Sequence, residues 1–144
     1  MIKLRSNVKK YMPVYQTLGS AGCDVMAKKD MTILPHQTVI IPVGLYIDSW
    51  TAVGFNTIPE LQMRLRSSLA IKHNLCIPNG VGTIDADYPG EIGIIVHNLG
   101  TKPYAVEKGQ RIGQLVLNYV KRITNVEVLE EERTGGYGST NNKG

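Results

Sequence analysis

Short runs of alternating apolar residues, each ended by Gly, Pro or Asn, constrain this chain more than any other feature. Ile2-Lys3-Leu4-Arg5 alternates. So does Leu61-Gln62-Met63-Arg64-Leu65-Arg66, with Leu61, Met63 and Leu65 on one face and Arg64 and Arg66 opposite. A period of two is the repeat of a half-buried strand, because successive side chains point to opposite faces. Thr38 to Asp48 is a longer β-rich run in which Val39, Ile41, Val43, Leu45 and Ile47 share a face. Pro42 lies inside it and has no N–H to give a ladder, so that run belongs at a sheet edge or on a bulge. Ile92 to Val96 is dense in β-branched residues, as a central strand is, and Ile112 to Val120 reads as another strand. One helix is expected, Leu69 to Asn74, with Ser67 or Ser68 as its cap. Ser49 to Glu60, with Gly54, Asn56 and Pro59, reads as an exposed loop. Many short strands with turn residues between them predict an all-β barrel or sandwich.

At 144 residues the chain is the size of one ordinary domain. Its formal charge of +4 is spread out rather than clustered, which suits an anionic ligand and a solvated surface equally. A basic block with interleaved aromatics is missing, so no nucleic-acid partner is indicated. No apolar run approaches a membrane span, and the N-terminus lacks a signal-peptide pattern, so a soluble cytoplasmic protein with no membrane partner is expected. Cys23 and Cys76 do not make a disulfide framework and are expected as buried, inert thiols. After Val126-Glu127-Val128 the composition changes, and Glu130-Glu131-Glu132-Arg133 leads into a Gly-rich stretch without core-forming periodicity. The division expected is a β-barrel domain over 1–129 and a flexible arm over 130–144. Extended, the last dozen residues reach roughly 40 Å, far enough to touch a neighbouring subunit.

Four stretches hold residue types that could carry chemistry. Asn79-Gly80 precedes Gly82-Thr83-Ile84-Asp85-Ala86-Asp87-Tyr88, and Asn-Gly between apolar runs predicts a tight hairpin that brings Asp85 and Tyr88 to a cleft. Asp and Gly are also ordinary turn residues, and these positions taken alone fit a plain turn. Arg66-Ser67-Ser68, at a strand end and helix start, groups a guanidinium, hydroxyls and free amides into an anion cradle. Gly109-Gln110-Arg111-Ile112-Gly113-Gln114 offers an arginine and a carboxamide at a strand start. Arg133, Tyr137, Ser139 and Thr140 lie among glycines in the arm, where the Lys-Ser/Thr ending of a Walker loop is missing. Asp24, Asp85 and Asp87 are candidate carboxylates around Mg²⁺, a hard ion that takes carboxylates, waters and substrate phosphates. His36, His73 and His97 have no zinc spacing, and no Gly-x-Ser-x-Gly elbow marks a serine nucleophile.

Taken in order, these stretches resemble the trimeric deoxyuridine triphosphate nucleotidohydrolase (dUTPase) family. Its five motifs are matched by Ala21 to Ala27, Arg66 to Ala70, Asn79 to Glu91, Gly109 to Gln114 and Arg133 to Thr140. The resemblance implies a jelly-roll-like β-barrel subunit in a homotrimer, with active sites at subunit interfaces, each closed by a neighbour's arm. It implies Mg²⁺-dependent hydrolysis of dUTP to dUMP and pyrophosphate. By that resemblance Asp85 deprotonates the water that attacks the α-phosphorus. Tyr88 packs on the deoxyribose, and Asn79 with the backbone near Gly82 reads the uracil. Arg66, Ser67, Ser68 and Gln114 fall on phosphate-contacting positions, while Asp24 supports metal-bound water rather than the metal itself. Arg133, Ser139 and Thr140 clasp the γ-phosphate as Tyr137 stacks on the base.

The chain departs from the family pattern in several places. Leu65 stands where proline or glycine is common, His73-Asn74 replaces a glycine-containing turn, and Tyr137 replaces phenylalanine. Gln110 replaces an acidic partner for Arg111, the Arg133 to Gly135-Gly136 run is one residue short, and the Ser49 to Glu60 loop is longer than expected. The same fold admits two other readings. A dCTP deaminase needs a glutamate in the strand that Ile94, Ile95 and Val96 occupy here. A regulatory protein, whose nucleotide state controls binding of a protein partner, is the alternative.

Overall fold

A computed structural model of the chain describes residues 1–125. Eleven strands and one α-helix follow in the order β1 Ile2–Arg5, β2 Cys23–Met26, β3 Met31–Ile33, β4 Thr38–Pro42, β5 Tyr46–Trp50, β6 Thr57–Leu65, α1 Ser67–His73, β7 Leu75–Cys76, β8 Gly82–Ile84, β9 Gly93–Asn98, β10 Tyr104–Val106 and β11 Arg111–Lys121. The expected all-β class with one short helix holds. Two sheets carry the core, a four-stranded β2-β11-β6-β8 and a three-stranded β4-β9-β7, flanked by the antiparallel pairs β1-β5 and β10-β3. β6 and β11 run antiparallel from Gly113↔Leu65 to Lys121↔Thr57 and form the backbone of the larger sheet.

The alternation read along β6 decides which face goes in. Leu61 and Met63 are buried, and Leu115 opposite Met63 is fully enclosed. From the other sheet Ile41, Ile94 and Val96 meet them in one apolar cluster that also takes in Val25, Ile33, Val43, Leu45 and Ile112. Gly113 lies directly under the other sheet, where an added Cβ would sit 2.9 Å from Ile94 Cδ1 and also 2.8 Å from the Arg64 carbonyl oxygen of its own sheet. Only a glycine leaves that space open. β9 is central in its sheet, as its β-branched run predicts, and β4 with Pro42 is at an edge.

The structure corrects the sequence reading in several places. The Thr38 to Asp48 run is two strands, because Gly44 takes φ 70 and breaks the ladder. The inward face persists across the break, since Ile41, Val43 and Leu45 are all buried. The Ser49 to Glu60 loop is only 51–56, because Ser49 and Trp50 finish β5 and Thr57 to Glu60 begin β6. Pro59 is accommodated there because β8 pairs only from Leu61 to Met63, leaving β6 a single neighbour, β11, at Pro59. Arg66 is the N-cap of α1, without a side-chain cap bond, so Ser67 and Ser68 are helical residues and not caps. Asn74 closes the helix at φ 53, the conformation in which asparagine substitutes for glycine. Cys23 is buried, and that burial pushes its thiol pKa up, whereas Cys76 is only half-buried. Among the described residues no helix is long and apolar enough to cross a membrane.

Candidate active site

Asn79-Gly80 does not close a hairpin. β7 pairs with β9 and β8 pairs with β6, so the turn carries the chain from one sheet to the other. The Gly80 N–H donates to the Ile77 carbonyl at 3.2 Å, and of the two turn residues only Gly80 has positive φ. Pro78 supplies the fixed φ of the first turn position, which moves the turn one residue earlier than an Asn-Gly hairpin. β8 then seats Gly82 opposite Met63 and Ile84 opposite Leu61.

Beyond Ile84 the chain turns again, with the Tyr88 N–H donating to the Asp85 carbonyl at 3.0 Å. Ala86 is buried and anchors this turn, which leaves Asp85 and Asp87 exposed on either side. The Tyr88 ring folds back over Gly90, where an added Cβ would lie 2.6 Å from the Tyr88 hydroxyl oxygen. That hydroxyl donates to the Glu91 carbonyl at 3.4 Å. Asp85, Tyr88 and Glu91 line a cleft of about 240 Å³, whose apolar wall includes Ile40, Ile84 and Ile95. A smaller hollow of about 70 Å³, lined by Asn79, Gly82 and Ile77, adjoins it through Thr83 and Ile84. Asn79 and Gly82 on the smaller hollow thus lie beside Asp85 and Tyr88 on the cleft.

A second group forms where β2 meets β11. Asp24 pairs with Gln114 across the strands and is almost fully buried. Its Oδ1 accepts from Gln114 Nε2 at 3.2 Å, and its Oδ2 accepts from Arg111 Nη1 at 3.4 Å. Arg111 Nη1 also donates to Gln16 Oε1 at 3.0 Å. The partner lost with an acidic residue at 110 is thus supplied from β2 and the Gln16 segment. Gln110 serves the turn instead, accepting from the Glu107 N–H at 3.1 Å and donating to the Tyr104 hydroxyl at 2.6 Å. Gln16, Asp24 and Arg111 line a further hollow of about 250 Å³. Arg66 joins this group through its N–H to the Ile112 carbonyl at 3.2 Å and its Nη1 to the Arg111 carbonyl at 3.4 Å. Ser67 and Ser68 follow it in the first turn of α1, where backbone N–H groups lack intrahelical acceptors.

The two groups are not one pocket on this chain. Asp85 leaves β8 beside Leu61, in the middle of β6, while Arg66 follows the C-terminal end of β6. Leu61 and Arg66 are about 17 Å apart along an extended strand at roughly 3.4 Å per residue. Arg133, Tyr137, Ser139 and Thr140 lie outside the described residues. Among the described residues no three His, Cys, Asp or Glu side chains converge as a metal cage.

A family model described as dUTPase matches residues 9–141. The chain belongs to the dUTPase family. It is 40% identical, over 96% of its own length and 97% of the relative's, to a deoxyuridine 5'-triphosphate nucleotidohydrolase of Finegoldia magna. Two solved dUTPases share the fold at low identity. One, from Staphylococcus bacteriophage 80alpha, has TM-score 0.73 and 21% identity over 93% of this chain and 99% of that one, and is described as controlling transfer of virulence genes by a proto-oncogenic G protein-like mechanism. The other, a variant from Staphylococcus aureus phage phi11 in which a structural Mg(II) ion is coordinated, has TM-score 0.71 and 19% identity over 93% and 99%. The dUTPase fold is a jelly-roll-like β-clip, which agrees with the paired sheets described above.

One device escaped the sequence reading of this dUTPase. The Glu91 carboxylate accepts from Lys28 Nζ at 3.0 and 3.1 Å, from the Gly44 N–H at 2.9 Å and from the Tyr46 hydroxyl at 3.1 Å. Its partial burial works to raise its pKa, but the bonds from Lys28, Gly44 and Tyr46, with the Lys28 charge, outweigh that and hold it below the ordinary value. The same hydrogen bond to Glu91 raises the Lys28 ammonium. Glu91 belongs to a motif, but Lys28 and Tyr46 carry no sequence signal; only the packing of β5 and of the loop after β2 around Glu91 reveals them.

Proposed function

We propose that this chain hydrolyses dUTP to dUMP and pyrophosphate by in-line attack of water on the α-phosphorus, keeping uracil out of DNA and supplying dUMP. The observation that carries this is the shared cleft of Asp85 and Tyr88, with Asn79 and Gly82 beside it, on a chain that belongs to the dUTPase family. Asp85 is exposed at the cleft and free to accept a proton from water, and a carboxylate within hydrogen-bond reach of an aligned water is what the step demands. Tyr88 offers a flat apolar face for the deoxyribose, one that a 2′-hydroxyl would crowd. Asn79 and the backbone at Gly82 read the uracil edge. Arg66, Ser67, Ser68 and Gln114 bind the phosphates.

A water beside the α-phosphorus and the phosphate oxygens around it lie within a few ångströms of each other, much closer than Leu61 is to Arg66. The reading therefore requires the Asp85 cleft of one copy to face the Arg66–Gln114 group of another, as in a homotrimer. Residues 130–144 form the arm that closes the site, with Arg133, Ser139 and Thr140 on the γ-phosphate and Tyr137 on the base. Closure expels water and strengthens each charge interaction inside.

The donor set fits Mg²⁺ held through water. Asp24 is a lone buried carboxylate whose oxygens already accept from Gln114 and Arg111, so it suits a metal-bound water better than the ion itself. When bound, Mg²⁺ would neutralise phosphate charge and fix the geometry of the triphosphate.

Likeness to the phage 80alpha dUTPase favours a second reading, in which nucleotide occupancy also controls binding of a protein partner. Phe55, nearly fully exposed in the 51–56 loop, is the surface feature that suits it. Pyrophosphate release from dUTP, dTTP, dCTP and UTP with Mg²⁺ tests the main proposal. Preference for dUTP is expected. Equal turnover of dTTP would remove the base pocket, and no turnover of any nucleotide would leave the regulatory reading.

A further inference from the structure

The loop that presents Asp85 and Tyr88 ends on a carboxylate for which the chemistry above has no use. Glu91 receives four hydrogen bonds from three residues on two distant segments: two from Lys28, one from the Gly44 N–H and one from Tyr46. The main chain beside it is held as firmly, with the Ile92 N–H on the Leu45 carbonyl at 2.8 Å and the Val43 N–H on the Ile92 carbonyl at 3.1 Å. At its other end the loop is fixed by Ile84 against Leu61. Between these anchors Tyr88 rests on the main chain of Gly90 and Glu91, its hydroxyl on the Glu91 carbonyl.

We infer that Glu91 is a positioning residue for discrimination between deoxyribose and ribose triphosphates. Its side chain ties residue 91 to Lys28, Gly44 and Tyr46. The carbonyl of that same residue is the seat of the Tyr88 hydroxyl, and the Tyr88 ring is the wall against which the sugar packs. Glu91 touches neither sugar nor phosphate in this scheme; it acts through Tyr88, and through the loop on Asp85. The inference deepens the dUTP-hydrolysing reading and rests on it.

Charge is required as well as shape. A glutamine of the same size keeps one acceptor oxygen but turns an amide donor toward the Lys28 ammonium, itself only a donor. The anchor then loses its bidentate ion pair and the 88–91 segment is free to shift. Misplacement of a positioning group by a fraction of an ångström to an ångström costs up to about a hundredfold in rate.

The test compares kcat and KM for dUTP and UTP in the full-length protein and in Glu91→Gln, Tyr46→Phe and Lys28→Met, with thermal unfolding alongside. The ratio of kcat/KM for dUTP over UTP is expected to fall about tenfold in Glu91→Gln and less in the other two. Adding Tyr46→Phe to Glu91→Gln is expected to lower the ratio no further. A ratio unchanged in Glu91→Gln while the melting temperature drops would make the residue a structural strut and overturn the inference. Should Glu91→Gln fail to fold, Tyr46→Phe and Lys28→Met decide: an unchanged ratio in both overturns it, a lowered ratio in both upholds it. A wild-type protein that hydrolyses neither nucleotide would instead defeat the underlying reading, and this inference with it.

Discussion

Arg111 Nη1 lies 3.4 Å from Asp24 Oδ2, tying the first residue of β11 to the second of β2. The carboxylate is 6% exposed and the guanidinium side chain 48%, so the pair straddles the edge of the sheet. Water can replace the partner of Arg111 but cannot easily reach that of Asp24.

Asp24→Ala is expected to destabilise the fold by about 2 kcal/mol, since two hydrogen bonds to a charged acceptor are lost while Arg111 is partly rehydrated. Thermal unfolding should show a melting temperature lower by roughly 5–10 °C. Arg111→Met is expected to cost more, because it leaves the buried Asp24 carboxylate without its cation, which water cannot easily replace. If Asp24→Ala were the more damaging of the two, the burial argument would be wrong.

Asp85→Asn is expected to bind dUTP nearly as the parent does but to turn it over about 10²- to 10⁴-fold more slowly, because an amide cannot accept the proton of the attacking water. Asp85 is exposed and its removal leaves no buried partner behind, so stability should hardly move. Isothermal titration with a non-hydrolysable analogue, paired with a turnover assay, separates these effects. Full activity in the variant would remove Asp85 from its role.

Gly90→Ala separates the Tyr88 wall from the rest of the loop. The new methyl would lie 2.6 Å from the Tyr88 hydroxyl oxygen and 2.8 Å from Cζ, so the ring must move. Gly90 does not lie among the residues of positive φ, so the backbone itself tolerates alanine. The expected result is a stability change within about 1 kcal/mol. Discrimination of dUTP from UTP should fall with it. Steady-state kinetics on both nucleotides provide the check, and unchanged discrimination would show that Tyr88 does not contact the sugar.

Glu91 and Lys28 carry opposite pH signatures. The carboxyl pKa in the fold is below its ordinary 4.5, so its contribution to stability is present above that value and is lost as pH falls through the lowered one. The ammonium pKa is above its ordinary 10.5, so its contribution is present below that value and is lost as pH rises through the raised one. Tyr46, on the Glu91 carboxylate, and Tyr11, whose hydroxyl donates to the Lys28 carbonyl at 3.3 Å, are the other titratable groups packed here. Between pH 6 and pH 3 the melting temperature of the parent should fall more steeply than that of Glu91→Gln. Parallel curves would show that the Glu91 anchor adds nothing to the acid limb.

Which parts of this molecule the sequence discloses follows from how far each interaction reaches along the chain. Alternation is local, so β1, β6, β9 and β11 and their inward faces were legible from Ile2, Leu61, Met63 and the Ile92 to Val96 run. Gly44 and Pro59 misled because their meaning depends on neighbours. Gly44 breaks a ladder without changing the buried face, and Pro59 is harmless where β6 has one neighbour instead of two. Asp85 and Tyr88 share one motif and could be found by spacing. The partners that hold the site, Gln16 on Arg111 and Lys28 with Tyr46 on Glu91, come from segments distant in sequence, Gln16 and Lys28 from loops outside the strands. The Asn79-Gly80 hairpin was misread for the same reason, since β7 and β8 belong to different sheets.

Asn98 holds the fold rather than the candidate site. The side chain is fully buried at the end of β9, where Nδ2 donates to the Ile33 carbonyl at 3.0 Å and the Lys102 carbonyl at 2.9 Å. Its Oδ1 accepts from the Gly100 N–H at 2.9 Å. One carboxamide thus satisfies three main-chain groups and joins β3 to the turn that leads to β10. Asn98→Ala would orphan all three and leave a small void, and each unsatisfied buried group costs about 1–3 kcal/mol. The sum expected is ~3 kcal/mol or more, with a fall in melting temperature on the order of 10 °C. Asn98→Asp tests the donor half alone: the carboxylate can still accept from Gly100 but faces two carbonyl oxygens with no proton to offer, so it should be at least as damaging at neutral pH. It should recover in part as acid protonates it. An Asn98→Ala protein that melts within a few degrees of the parent would show that water fills the site and that the carboxamide is dispensable.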